Sequence, residues 1–195
     1  MENLTISNLP TSVLLDLQTG IFDPAQKVDS RRLSDLAAVY HDQNAVQEIL
    51  RSEDRLVYEI RYHAFITSNS DMALGVTRIY PGKIGDEYHM TKGHFHLRED
   101  QPEIYFCVQG EGYLLMETRE GEFQAVAWKP GVITHIPPAW AHRVVNTGDQ
   151  VLYFVASYHV SAGHVYEPIV ERGFSKVVVE REGRPILAPN PRRLR

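Results

Sequence analysis

From residue 55 onward the chain never runs far without a turn signal. Short stretches rich in Val, Ile, Tyr and Phe are cut by "SNSD", "PGKIGD", "QGEG", "REGE", "KPG", "NTGDQ" and "SAGH", roughly every ten residues. β-branched and aromatic side chains suit a pleated, half-buried surface, and no long helical pattern intervenes to carry a parallel crossover. The punctuation therefore predicts an all-β fold of antiparallel strands in a sandwich or barrel.

The first residues read differently. "TSVLLDLQTGIFD" is an apolar strand closing on a Thr-Gly turn, and "RRLSDLAAVYHDQNAVQEILRSED" carries helical spacing at Ala45, Ile49 and Leu50. Asp42 is the expected N-cap, because its carboxylate can accept from the unpaired amides of the first turn. We expect one domain over residues 1–195, with a strand and helix extension (about 1–54) ahead of the barrel (about 55–180). The tail "EREGRPILAPNPRRLR" has a hairpin-like Glu-Gly and a basic, proline-broken end that reads as a solvated arm.

Charge narrows the partners. A formal net charge of −5 gives no basic field for nucleic acid or an anionic membrane face, so a small molecule is the expected partner. No apolar run reaches a membrane span, and "MENLTISNLPTS" lacks a signal-peptide pattern, which points to the cytoplasm. Cys107 is the single cysteine; it suits a reducing compartment and reads as a small buried core residue.

Strand parity organises the histidines. In "TKGHFH", His94 and His96 stand two apart, so in a strand they share a face. Glu103, Tyr105 and Cys107 share a face in the next run, with "REDQP" as a hairpin connection that would set Glu103 opposite the pair on an adjacent strand. His142 follows a Pro-Pro corner in "IPPAWAHRVVN". Three imidazoles and a carboxylate suit a divalent transition metal such as iron, manganese, nickel, cobalt or zinc. Each piece alone also reads as ordinary strand polarity.

The joint spacing resembles the two motifs of the cupin superfamily: Glu103 is followed by Gly110, and Gly131 by Pro137, His142 and Asn146. Tyr88 and Ala139 stand where that pattern usually has glycine, and the interval from His96 to Glu103 is longer than usual. With these departures, and through "LQTGIF", "RRLSDL", "YPGKIG", "TKGHFH", "EIY", "PPAWAHRVVNTGD", "SAGH" and "RGFSK", the chain is similar to the metal-dependent, cupin-type phosphoglucose isomerases. The resemblance implies a double-stranded β-helix, or jelly-roll barrel, and one divalent metal per subunit, Fe2+ foremost, on His94, His96, Glu103 and His142. It implies Thr77, Thr91 and Gly93 at a sugar phosphate, Tyr58, Tyr105, His164 and Tyr166 around a phosphorylated hexose, and a homodimer.

Chemistry independent of the resemblance agrees. Interconverting an aldose and a ketose moves a hydrogen between C2 and C1 while charge develops on two oxygens. A metal would stabilise that charge, and Glu103 is the nearest candidate general base for a proton transfer, the preferred route over a direct hydride shift, which would need no base. "TKG" supplies a hydroxyl, amides freed by Gly93, and Lys92, which as an ordinary lysine would face solvent. Gly93 also permits the kink that shifts parity between Thr91 and His94. His41, His63, His89 and His135 read as surface residues, His135 with a second option as an outer partner of a ligand. Trp128 and Trp140 read as packing. A metal-cupin oxygenase and a non-catalytic sugar-binding cupin are the alternatives to an isomerase.

Overall fold

The structure, a computed structural model, describes residues 9–66 and 71–194; the first eight residues and most of the "SNSD" turn lie outside the described residues. β1 (Leu14–Asp16) and β2 (Ile21–Asp23) form a hairpin around Thr19-Gly20. β3 (Lys27–Arg32) leads into α1 (Leu33–Leu36) and α2 (Gln43–Leu50). The Asp42 carboxylate caps α2 by accepting from the Ala45 amide at 2.9 Å, a contact that contributes about 1 kcal/mol in helices generally.

Strands dominate the rest. β4 (Leu56–Ile66) and β5 (Asp71–Ile79) precede β6 (Lys83–Ile84) and β7 (Glu87–Tyr88). Next come β8 (Glu103–Gln109), β9 (Gly112–Glu117), β10 (Phe123–Trp128) and β11 (Ile133–Ile136). β12 (Ala141–Asn146) and β13 (Leu152–His159) are followed by α3 (Glu167–Glu171) and the hairpin β14 (Lys176–Arg181) and β15 (Arg184–Pro189).

Two antiparallel sheets make the body, as the turn punctuation predicts. One has the order β11-β8-β13-β5-β4-β3 and the other β10-β9-β12; they stack in a jelly-roll-like arrangement without hydrogen-bonding into a closed barrel. A third sheet, β15-β14-β7-β6, lies beside them. The facing interior is aromatic: Trp128 and His142 of the smaller sheet meet Tyr105 and Phe154 of the larger, with Trp128 and Phe154 ring centres 5.3 Å apart. Cys107 is fully buried there. Asn146 ties the two sheets: its buried amide donates to the Ile79 and Gln150 carbonyls at 2.9 and 2.8 Å and accepts from Gly148.

Two local expectations are corrected. The tail is not a solvated arm, because Asn190 is buried and Arg193 pairs with the buried Glu117 at 2.6 Å. His89 is not on the surface; it is 3 % exposed, with Nδ1 3.1 Å from the Tyr80 carbonyl, and burial holds its pKa below the ordinary value. Among the described residues no helix is long and apolar enough to cross a membrane.

Candidate metal centre

His94, His96, Glu103 and His142 converge, and their ligand atoms all lie within 4.8 Å of one another. They do not meet as the hairpin expectation had it. His94 forms an isolated bridge with His142, its amide 3.3 Å from the His142 carbonyl and its carbonyl 3.1 Å from the His142 amide, so residues 94–96 extend the smaller sheet beside β12. Glu103 begins β8 in the larger sheet, paired with Ile136 and Tyr158. The carboxylate thus reaches the imidazoles across the interior. The "REDQP" connection crosses between sheets because Phe95 bridges to Val165 and β8 is already flanked by β11 and β13.

The cage fits a cation of transition-metal size. Ligand atoms at about 2.1 Å from a common centre are at most roughly 4.2 Å apart, so closure needs shifts of a few tenths of an ångström. His94 Nε2 and His142 Nε2 are buried without hydrogen-bond partners. His142 Nε2 lies 3.1 Å from Glu103 Oε2 but is not aligned to bond it, which leaves its lone pair aimed at the centre. His96 is oriented by Nδ1 at 2.8 Å from the Gln101 carbonyl, with Nε2 3.1 Å from Glu103 Oε2. His142 Nδ1 sits 3.3 Å from the Trp140 carbonyl. Backbone carbonyls therefore take the outer role weighed for His135, which is exposed.

Burial and neighbouring groups set the protonation preferences of the cage side chains. Burial, then the neighbouring imidazoles, holds His94 well below its ordinary pKa. Burial would raise the Glu103 pKa, but the close approach of the His142 and His96 imidazoles outweighs it and keeps the carboxyl ionised. Burial opposes the charge of His96, and the Glu103 contact and Gln101 carbonyl overcome it.

Above the cage opens a cavity with about 550 Å³ of space not filled by atoms, its solvent-open mouth included. Tyr58, Thr77, Thr91, Gly93, Tyr105, His164 and Tyr166 all line it, as do His94, Glu103 and His142; His96 stands behind the cage. Gly93 has φ +77°, the kink expected after Thr91. The Thr91 hydroxyl accepts from the Val144 amide at 3.1 Å and keeps its own hydrogen to donate. The Tyr58 hydroxyl, 3.5 Å from the Lys92 amide, is pushed up by burial to about 12. His164 and Tyr166 stack with ring planes 9° apart; His164 stays partly open to solvent, and crowding by its protein neighbours pushes its pKa down to about 4, which leaves it neutral at neutral pH.

The family model of glucose-6-phosphate isomerase matches residues 30–190. The chain is 42% identical over 183 residues to the glucose-6-phosphate isomerase of Thermococcus litoralis, covering 94% of this chain and 96% of that one. The chain belongs to the glucose-6-phosphate isomerase family. The enzyme of the same name from Sinorhizobium medicae is 35% identical over 175 residues, 89% of this chain and 82% of that one. Among solved structures, a single-substitution variant of Bacillus subtilis oxalate decarboxylase gives a TM-score of 0.46 at 19% identity, over 56% of this chain and 27% of that one.

The cavity is also lined by residues that the motif pattern does not single out. Tyr62 and Tyr158 line the same cavity, as do Ile60 and Ala156. Parity could have found Ile60 and Tyr62, which alternate with Tyr58 along β4; Tyr158 is the direct strand partner of Glu103. Lys92 does not point to solvent: it lines the cavity, with Nζ 5.0 Å from the Tyr166 ring centre.

Proposed function

We propose that the chain interconverts glucose 6-phosphate and fructose 6-phosphate in this cavity, with one divalent ion held by His94, His96, Glu103 and His142. The observation that carries the assignment is a single cavity that joins this buried four-residue cage to the Thr91-Lys92-Gly93 turn. Fe2+ is the ion we assign; Mn2+, Ni2+, Co2+ and Zn2+ suit the same donors. When bound, the ion supplies Lewis acidity for negative charge developing on the O1 and O2 oxygens of the open-chain sugar.

The side chains do the rest. Both imidazole contacts of Glu103 fall on Oε2, so among the described residues Oε1 carries no hydrogen bond and is free to act as base. Ionised Glu103 takes the proton from C2 and returns it to C1. Thr77, Thr91 and the amide of Gly93 hold the phosphate, with the Lys92 charge alongside. Tyr58, Tyr105, His164 and Tyr166 bound the sugar, and neutral His164 bonds a hydroxyl without adding charge. The aromatic walls lower the local dielectric, which strengthens each of these polar contacts.

This reading takes residues 1–195 as one catalytic unit, working in the cytoplasm as a homodimer. The lone reduced cysteine suits that compartment, and β3 and β11, at the edges of the large sheet, offer edges for pairing.

The test is conversion of fructose 6-phosphate by protein loaded with each ion in turn, followed by a coupled assay for glucose 6-phosphate, with and without chelator. Lack of product with every ion refutes the assignment. In deuterated water, solvent label at C1 or C2 supports Glu103 as base; complete absence of label replaces that step with a direct hydride shift.

A further inference from the structure

Arg143 follows the cage residue His142, and by strand alternation it leaves β12 on the opposite face. There it packs under Phe174, whose ring centre is 4.9 Å from the guanidinium carbon. The residue is 2 % exposed. Among the described residues no carboxylate comes within 4.0 Å of the guanidinium, and Nε is buried with no hydrogen-bond partner. Glu87 acts on it only through space, with its Oε2 already taken by the amide and ring of His41. A guanidinium keeps its charge at neutral pH. A buried cation without a direct ion pair is costly, and such a group in a folded protein calls for an explanation.

Its one hydrogen bond supplies it. Nη2 donates to the Lys92 carbonyl. The carbonyl of Lys92 and the N–H of Gly93 belong to one trans peptide and point in opposite directions. With the carbonyl held against Arg143, the Gly93 N–H faces away from it, and among the described residues it has no acceptor. Arg143 also backs the turn sterically, since a Cβ on Gly93 would lie 3.2 Å from both its Cβ and its Nε. The far side of the turn lines the cavity.

Resting on the assignment of this turn to the phosphate, we infer that Arg143 is the buried counter-charge and positioning residue of the phosphate site. One peptide plane separates the guanidinium from the dianion. Donation into the Lys92 carbonyl polarises that peptide and strengthens the Gly93 N–H as a donor to phosphate. Arg143 itself touches neither substrate nor metal.

The test uses the metal-loaded full chain and inorganic phosphate as a competitive inhibitor. Arg143→Gln and Arg143→Met should raise both the phosphate inhibition constant and the KM for fructose 6-phosphate by about tenfold or more, the scale of a lost charge-assisted contact. Turnover at saturation and metal content per subunit should stay near parent values, and Arg143→Lys, which keeps charge and donor, should restore most of the phosphate affinity. A folded Gln or Met variant with parent-like phosphate inhibition overturns the inference, as does a fall in kcat with inhibition unmoved.

The parent supplies a readout independent of variant folding. In the zinc-loaded, isotopically labelled protein, phosphate should shift the NMR signals of both the Arg143 Nε–H and the Gly93 N–H; a fixed Arg143 signal at saturating phosphate overturns the inference. Thr91→Val separates the two failures. If it weakens phosphate inhibition while the Arg143 variants do not, only the role of Arg143 falls; if Thr91 and Arg143 variants all leave phosphate untouched, the phosphate assignment of the turn falls with it.

Discussion

Gly93→Ala tests the turn at its tightest point. The residue sits at φ +77°, where a side chain costs about 1–2 kcal/mol. A Cβ there would lie 2.9 Å from Phe174 Cε2 and 3.2 Å from two Arg143 atoms, and both neighbours are buried. Overpacking of that kind costs about 1–3 kcal/mol. Stiffening of the unfolded chain returns about 0.4–1 kcal/mol. The net loss is about 1–5 kcal/mol, or a fall in Tm of roughly 2–20 °C for a chain of this size. Gly131→Ala is the control: its φ is +93°, but nothing lies within 4 Å of the added Cβ, so only the backbone cost applies and Tm should fall far less. The assay is thermal unfolding of the metal-loaded proteins side by side, with KM for fructose 6-phosphate on the survivors. Equal Tm losses at the two sites would refute the steric argument, and an unchanged KM in folded Gly93→Ala would refute the role of the turn.

Glu103→Gln keeps the shape of the cage but removes the base, so kcat should drop by about 10²–10⁴ while far-ultraviolet circular dichroism stays that of the parent; near-parent turnover refutes the proton-transfer role. Exhaustive chelation should abolish activity and lower Tm together, with both restored by Fe2+, because an ion that binds only the folded cage stabilises it; full activity after verified metal removal counts against the centre. His41 is lifted above its ordinary pKa by its hydrogen bond to Glu87 and by the charges of Glu87 and Asp86, against the opposing effect of burial. A raised folded-state pKa contributes stability that is complete below the ordinary value of about 6.5 and fades as pH rises through the raised one. The gap in urea midpoint between the parent and His41→Gln should therefore be wider at pH about 6 than at about 9, and a gap that widens with pH refutes the pairing.

Local physics made much of this protein legible in its residues. Turn chemistry spaced along Val, Ile, Tyr and Phe runs is enough to specify antiparallel strands, and the Asp42 cap, the Gly93 kink and the burial of Cys107 follow from properties of single side chains. The donor types and their spacing also named the four residues that converge. Alternation along one strand is a local rule, however, and it says nothing about which strand lies opposite. Glu103 faces the imidazoles from the other sheet because β8 pairs with β11 and β13, a choice made by packing between segments far apart in the chain. The same long-range packing buries His89, brings Tyr62 and Tyr158 into the cavity, and lays Arg143 under Phe174 against the turn. Residue type fixed what chemistry was on offer; only the stacking of two sheets decided which groups share one cavity and so act on one another.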